Sequence, residues 1–117
     1  RQHLRRELME VVAQRRRVAI YGTGDAAELV FLLVRDMGLD LVGVFEPQAG
    51  GHFLGLPVQA IADHRNADFD VLIVANLDRP AGTAKALRQL GVPDEKVMML
   101  RPDWAPRHAS GLNGAAR

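Results

Sequence analysis

Short apolar runs alternate with longer amphipathic stretches along most of this chain, and the junctions are marked by glycine, proline or an acidic residue. Residues 17–21, Arg-Val-Ala-Ile-Tyr, form a β-rich run that stops at Gly22, the pattern of a strand buried on both faces. Residues 25–37 read as a helix closing at Gly38, because glycine accepts the left-handed backbone that ends a helix. A second apolar strand covers 41–45 and halts at Glu46-Pro47, since proline brings no amide to a ladder. A glycine-rich loop, 48–52, leads to an extended segment at 53–58 that Pro57 restricts to a sheet edge. One or two helical turns follow at 61–66, and residues 70–75, Asp-Val-Leu-Ile-Val-Ala, are the clearest buried strand. Asp78 as cap and Pro80 as an early proline open a helix that runs to Leu90 and ends at Gly91, and 96–100 supply a last strand. Ahead of all this, Leu4, Leu8, Val11 and Val12 lie at helical spacing over residues 4–15, with charge on the opposite side.

Strands that alternate with helices imply βαβ units, parallel pairing and right-handed crossovers. The expected fold is therefore α/β, a Rossmann-like three-layer α/β/α arrangement with a mainly parallel sheet of order about 3-2-1-4-5, preceded by an amphipathic helix. Residues 1–16 are the lead-in helix and 17–101 the nucleotide-binding domain. The prolines and glycines after Arg101 make 102–117 a surface tail. Arg1 opens inside a helical pattern without a cap, so a segment upstream is expected.

Composition narrows the function classes. At 117 residues, 48% apolar and 25% charged, the chain is one domain with room for one core. A net charge of +1 argues against a broad nucleic-acid surface, and Arg1, Arg5, Arg6, Arg15, Arg16 and Arg17 read as a solvated helix face and turn. Without cysteine there is neither a disulfide nor a thiolate site. No apolar run approaches the roughly 20 residues of a membrane span, and with no signal peptide before the fold the expected setting is cytoplasmic.

The candidate chemistry lies in Gly22-Thr23-Gly24-Asp25-Ala26-Ala27, a G-x-G-x-x-A between a strand and a helix. Gly22 permits the tight turn, Gly24 lets the backbone approach a pyrophosphate without a Cβ in the way, and Ala27 is small enough for close helix–strand packing. The helix start presents free amides and a positive dipole end. Glu46 ends the second strand 22 residues after Gly24, where an acid accepts hydrogen bonds from a ribose diol and disfavours the extra phosphate of NADP. Thr23 either donates to a phosphate or occupies the turn, and Asp25 brings a negative charge that opposes an anion. Asn76 and Asp78 follow the fourth strand, at the edge where ligands of open α/β sheets sit, although Asp78 reads more simply as a helix cap. Gly22, Thr23, Gly24, Asp25, Ala26, Glu46 and Asn76 are thus the expected cofactor-binding set, for NAD or another nucleotide. The competing reading is a plain tight turn beside a solvated Glu46. His52 lies in a loop within reach of a ribose or base, while His3, His64 and His108 lack metal-ligand spacing, so no metal is expected.

Reactive residue types are nearly exhausted. Tyr21 is the only tyrosine, Ser110 the only serine, and Lys85 and Lys96 the only lysines, so neither a Tyr-x-x-x-Lys pair, a nucleophile elbow nor a P-loop lysine exists. The chain is expected to bind rather than catalyse, with no catalytic residue. The 25–37 helix carries more apolar positions than one sheet-facing stripe needs. The surplus packs against another subunit or an upstream domain, or is covered by the chain's own lead-in helix; a homodimer is the expected assembly.

Residues 18–29 (Val-Ala-Ile-Tyr-Gly-Thr-Gly-Asp-Ala-Ala-Glu-Leu), 41–46 (Leu-Val-Gly-Val-Phe-Glu) and 53–58 (Phe-Leu-Gly-Leu-Pro-Val) resemble the small N-terminal Rossmann domains of polysaccharide-biosynthesis nucleotide-sugar enzymes. That resemblance implies binding of NAD(P) or a nucleotide-sugar within a larger enzyme. The chain is still more similar to the Rossmann-type C-terminal domain of bacterial winged-helix transcriptional regulators, over about residues 4–100. This second resemblance implies an effector-sensing domain that meets DNA only through a separate upstream module. Ala27 in place of a third glycine, Glu46 where aspartate is common, and the absence of a helix-turn-helix are the departures. An interaction scaffold with a vacant site is the third reading, since fold alone does not establish function.

Overall fold

The computed structural model describes residues 17–76 and 79–100 together with Arg6, which is helical and exposed. The rest of the lead-in helix, Asp78 and the 102–117 tail lie outside the described residues. Along the chain the elements are β1 (Arg17–Tyr21), α1 (Asp25–Asp36), β2 (Asp40–Glu46), β3 (His52–Phe53), β4 (Leu56–Ala60), a 3-10 turn (Ile61–Asn66), β5 (Val71–Val74), α2 (Pro80–Gln89), a second 3-10 turn (Asp94–Lys96) and β6 (Val97–Met99).

The strands form one sheet in the order β3-β4-β2-β1-β5-β6. Apart from β3, which runs antiparallel to β4, every pairing is parallel. With β3 set aside, the order is the doubly wound 3-2-1-4-5 expected of a Rossmann-like fold. β1 lies between β2 and β5, with Ile20 opposite Val44 on one side and Ile73 on the other. Because the chain steps from β1 to β2 in one direction and from β5 to β6 in the other, right-handed crossovers put α1 and α2 on opposite faces. The side-chain alternation of β1 follows suit. Val18 and Ile20 join α1 in one core, whereas Ala19 and Tyr21 join Phe45, Leu72 and Leu87 of α2 in the other.

α1 buries Ala26, Ala27, Val30 and Val34, a stripe at helical spacing, with Asp25 and Glu28 in its first turn and Arg35 in its last, as the macrodipole favours. It ends as the glycine requires. Gly38 has φ +74°, its amide donates to Arg35 O, and Leu39 N donates to Val34 O at 3.0 Å, satisfying carbonyls that the helix end leaves unpaired. α2 closes in the same way at Gly91 (φ +89°), with Val92 N donating to Leu87 O. Its start differs from expectation, because the capping position is Arg79, in left-handed conformation and without a side-chain cap bond.

Two other expectations are corrected. The 53–58 segment is the turn and second strand of a hairpin, and β4 is not an edge strand, since β3 covers it. Leu54 (φ +53°) and Gly55 (φ +86°) both carry the positive φ of a two-residue primed turn. Pro57 is tolerated because the ladder with β2 begins one residue later, at Val58, and hydrogen bonds toward the hairpin side run through Val58 N to Gly51 and Val58 O from Gly50. Arg17 is not part of a merely solvated basic face. Its guanidinium donates to Asp70 (Nη2 to Oδ1 3.0 Å, Nε to Oδ2 3.2 Å) and to Asp68, bracing the start of β1 against the approach to β5. The Asp70 hydrogen bond, followed by the charges of Asp68 and Asp70, pushes the Arg17 pKa further up.

Leu72 sits wholly buried in β5, between the central strand and β6. Leu72→Ala is expected to cost about 2–5 kcal/mol, read as a lower midpoint in urea unfolding with an unchanged m-value.

Candidate functional site

β1 ends at Tyr21, but the chain stays tied to the sheet for one more residue, with Gly22 N donating to Phe45 O at 2.9 Å. Gly22 has φ +128°, and a Cβ there would lie 3.2 Å from Asn76 N and 3.3 Å from the Ala75 carbonyl carbon. The protein itself demands this glycine. Gly24 is different: its backbone is extended (φ −93°, ψ −160°), which any residue adopts, and a Cβ would meet nothing within 4 Å. No neighbouring atom demands a glycine there, although it is the capping residue of α1, a position glycine suits, and the bare space it leaves lies at a helix start whose first amides have no intrahelical acceptor.

Thr23 turns toward β2. Its Oγ1 donates to Glu46 Oε2 at 2.5 Å, so the second strand's terminal carboxylate is oriented by the loop at the end of the first. A carboxylate can accept about four hydrogen bonds, and Thr23 supplies one. Asp25 is exposed at the first position of α1, and Ala27 is wholly buried between helix and sheet.

Gly22, Thr23, Gly24, Asp25, Ala26, Glu46 and Asn76, with Ala75, line one cleft of about 350 Å³ at the carboxyl edge of the sheet. All seven residues singled out from sequence therefore share a surface. A second cleft of about 650 Å³ lies beside it, lined by Tyr21, Pro47, Asn76, Arg79, Gly82, Thr83 and Ala86. Asn76 belongs to both, so the two adjoin across the end of β5. Sequence reasoning missed Tyr21, Arg79 and Thr83 as site residues. The available signal was positional: α2 follows β5 as α1 follows β1, bringing a second helix start and a cation to the same edge. His52, by contrast, pairs with Pro57 at the far end of the sheet and lines neither cleft. His64 is buried and donates from Nε2 to Leu90 O at 2.9 Å, a structural role. Among the described residues no cluster of three His, Cys, Asp or Glu side chains could hold a metal, and no helix is long and apolar enough to cross a membrane.

No protein-family model matches the sequence, and no curated protein matches it. Solved structures match in fold. The crystal structure of RSP, a Rex-family repressor, gives a TM-score of 0.53 at 18% identity, covering 98% of this chain and 68% of that one. RSP in complex with β-NAD+ and operator DNA gives 0.52 at 19% identity, covering 98% of this chain and 62% of that one. At these identities the likeness is one of fold.

Two outcomes test the geometry. Gly22→Ala is expected to lose about 1–3 kcal/mol from a strained positive φ, whereas Gly24→Ala stays within about 1 kcal/mol of the parent, both by urea unfolding. Burial first, and the Glu46 charge second, raise the Tyr21 pKa. A raised phenol pKa contributes stability that is full below pH about 10 and is lost as pH climbs through the folded value. Because Tyr21 is the only tyrosine, phenolate absorbance reports it alone. Its midpoint should lie above that of free tyrosine and fall part of the way back in Glu46→Gln.

Proposed function

We propose that this chain is a non-catalytic dinucleotide-binding domain, the effector-sensing part of a bacterial transcriptional regulator, with NAD as its ligand. The observation that carries this reading is Gly24, a glycine that no neighbouring atom demands, over open space at a helix start. A diphosphate there meets the amides at the beginning of α1 without a Cβ in its path. Glu46, oriented by Thr23, accepts from the adenosine ribose diol and repels a 2′-phosphate. The wider cleft beside Asn76 and Arg79 takes the second nucleoside. Asp25 works against the phosphates, so affinity is moderated rather than maximal.

The fold-level neighbours support the regulatory part of the proposal, since RSP is described as a repressor and was crystallised with β-NAD+ and operator DNA. In this reading residues 17–101 sense the ligand and DNA is met by a separate segment. The protein acts as a homodimer, for which Leu32, 49% exposed on α1 beside partly buried Leu29 and Leu33, offers apolar contact. Occupancy acts by favouring one domain arrangement over another.

Calorimetry and thermal unfolding with NAD+, NADH and NADP+ test the proposal. At a hundredfold excess over Kd, NAD+ or NADH should stabilise the fold by about 2.7 kcal/mol. Gly24→Val should abolish that effect, and Glu46→Ala should weaken it about tenfold or more while narrowing the gap to NADP+. Wild-type affinity in Gly24→Val would overturn the assignment.

A further inference from the structure

The carboxyl-edge clefts are not the only concavity. At the opposite edge of the sheet, before β5 begins and after α2 ends, His64, Arg65, Ala67, Asp68, Phe69, Gly91, Pro93 and Lys96 enclose about 380 Å³. That volume lies toward the small end of the range for small-molecule sites. We infer that it is a second binding site, for a compact multivalent anion carrying phosphoryl or carboxylate groups.

The charge arrangement favours such a ligand. Among the described residues, Arg65 and Lys96 have no carboxylate partner, while the single acid of the lining, Asp68, is paired with Arg17. Lys96 is held in place rather than splayed into solvent. Its Nζ donates to Phe69 O at 3.3 Å and lies 5.8 Å from the Phe69 ring centroid, leaving further ammonium donors for a ligand. Arg65 lies across bare backbone: its Nη2 is 2.7 Å from where a Cβ on Gly91 would stand. The glycine that closes α2 thus also makes room for a guanidinium, whose planar fork suits phosphate or carboxylate. His64 and Phe69, both buried, complete the lining, with His64 hydrogen-bonded to Leu90 O. The site is independent of the proposed nucleotide cleft, since β5 separates Phe69 at one edge from Asn76 at the other.

Residue-resolved amide NMR of the full chain, titrated separately with inorganic phosphate and with citrate at ionic strength fixed by sodium chloride, tests the inference. Saturable shifts are expected at Ala67, Phe69, Gly91 and Lys96, with a tenfold or greater loss of affinity in Arg65→Gln and again in Lys96→Gln, circular dichroism confirming that each variant is folded. Saturation by phosphate alone identifies a phosphoryl ligand, and saturation by citrate alone a polycarboxylate. Arg65 is exposed, so Arg65→Gln keeps the test decisive should Lys96→Gln fail to fold. Shifts confined to residues 22–26, non-saturating shifts, or affinity unchanged in Arg65→Gln would overturn it.

Discussion

The close passage of one backbone over another at the end of the central strand governs this molecule. For α1 to begin where it does, the chain leaving β1 has to cross the end of β5 almost in contact with the Ala75–Asn76 peptide, and only glycine at 22 permits that. The crossing brings Thr23 within hydrogen-bonding distance of Glu46 and puts the helix start beside Asn76. Once that turn is made, the carboxyl edge has its shape. The glycine two residues on stands apart from this requirement, since a Cβ there would meet no atom of the protein.

Much of this is legible in the sequence. Buried parallel strands announce themselves as unbroken apolar runs, and helices between them dictate crossover handedness, so parallel pairing follows from alternation and the order of the main strands from the doubly wound type. The convergence of the seven expected residues on one cleft is legible for a related reason: strand ends and helix starts of a parallel sheet share one edge, so a glycine loop, a terminal acid and an asparagine after the fourth strand meet there. The hairpin was not legible. β3 has two residues, too few for any periodicity, and its turn places Leu54 in the left-handed region, where a leucine gives no signal. Arg17 was misjudged because its partners, Asp68 and Asp70, are more than 50 positions away and only the register of β1 on β5 brings them near. The wider cleft escaped notice because its walls come from a helix whose composition is ordinary.

The two edges of the sheet carry opposite electrostatic characters. At the carboxyl edge the side-chain charges around the glycine loop are acidic, Asp25 and Glu46, so in the proposed reading the attraction for phosphate comes from backbone amides. In the anion site inferred at the amino edge the attraction comes from side chains, because Arg65 and Lys96 line a cavity whose one carboxylate is paired with Arg17. Backbone recognition selects for shape, and side-chain recognition tolerates variety. Salt screens the exposed side chains more strongly than the half-buried amides.

α1 and α2 are held very differently. Four buried side chains pin the first to the sheet, whereas Leu87 alone does so for the second, which also carries Gly82 in its opening turn. The wider cleft, walled on one side by α2 and on the other by the strand ends at Tyr21 and Asn76, therefore has its more loosely anchored side in the helix.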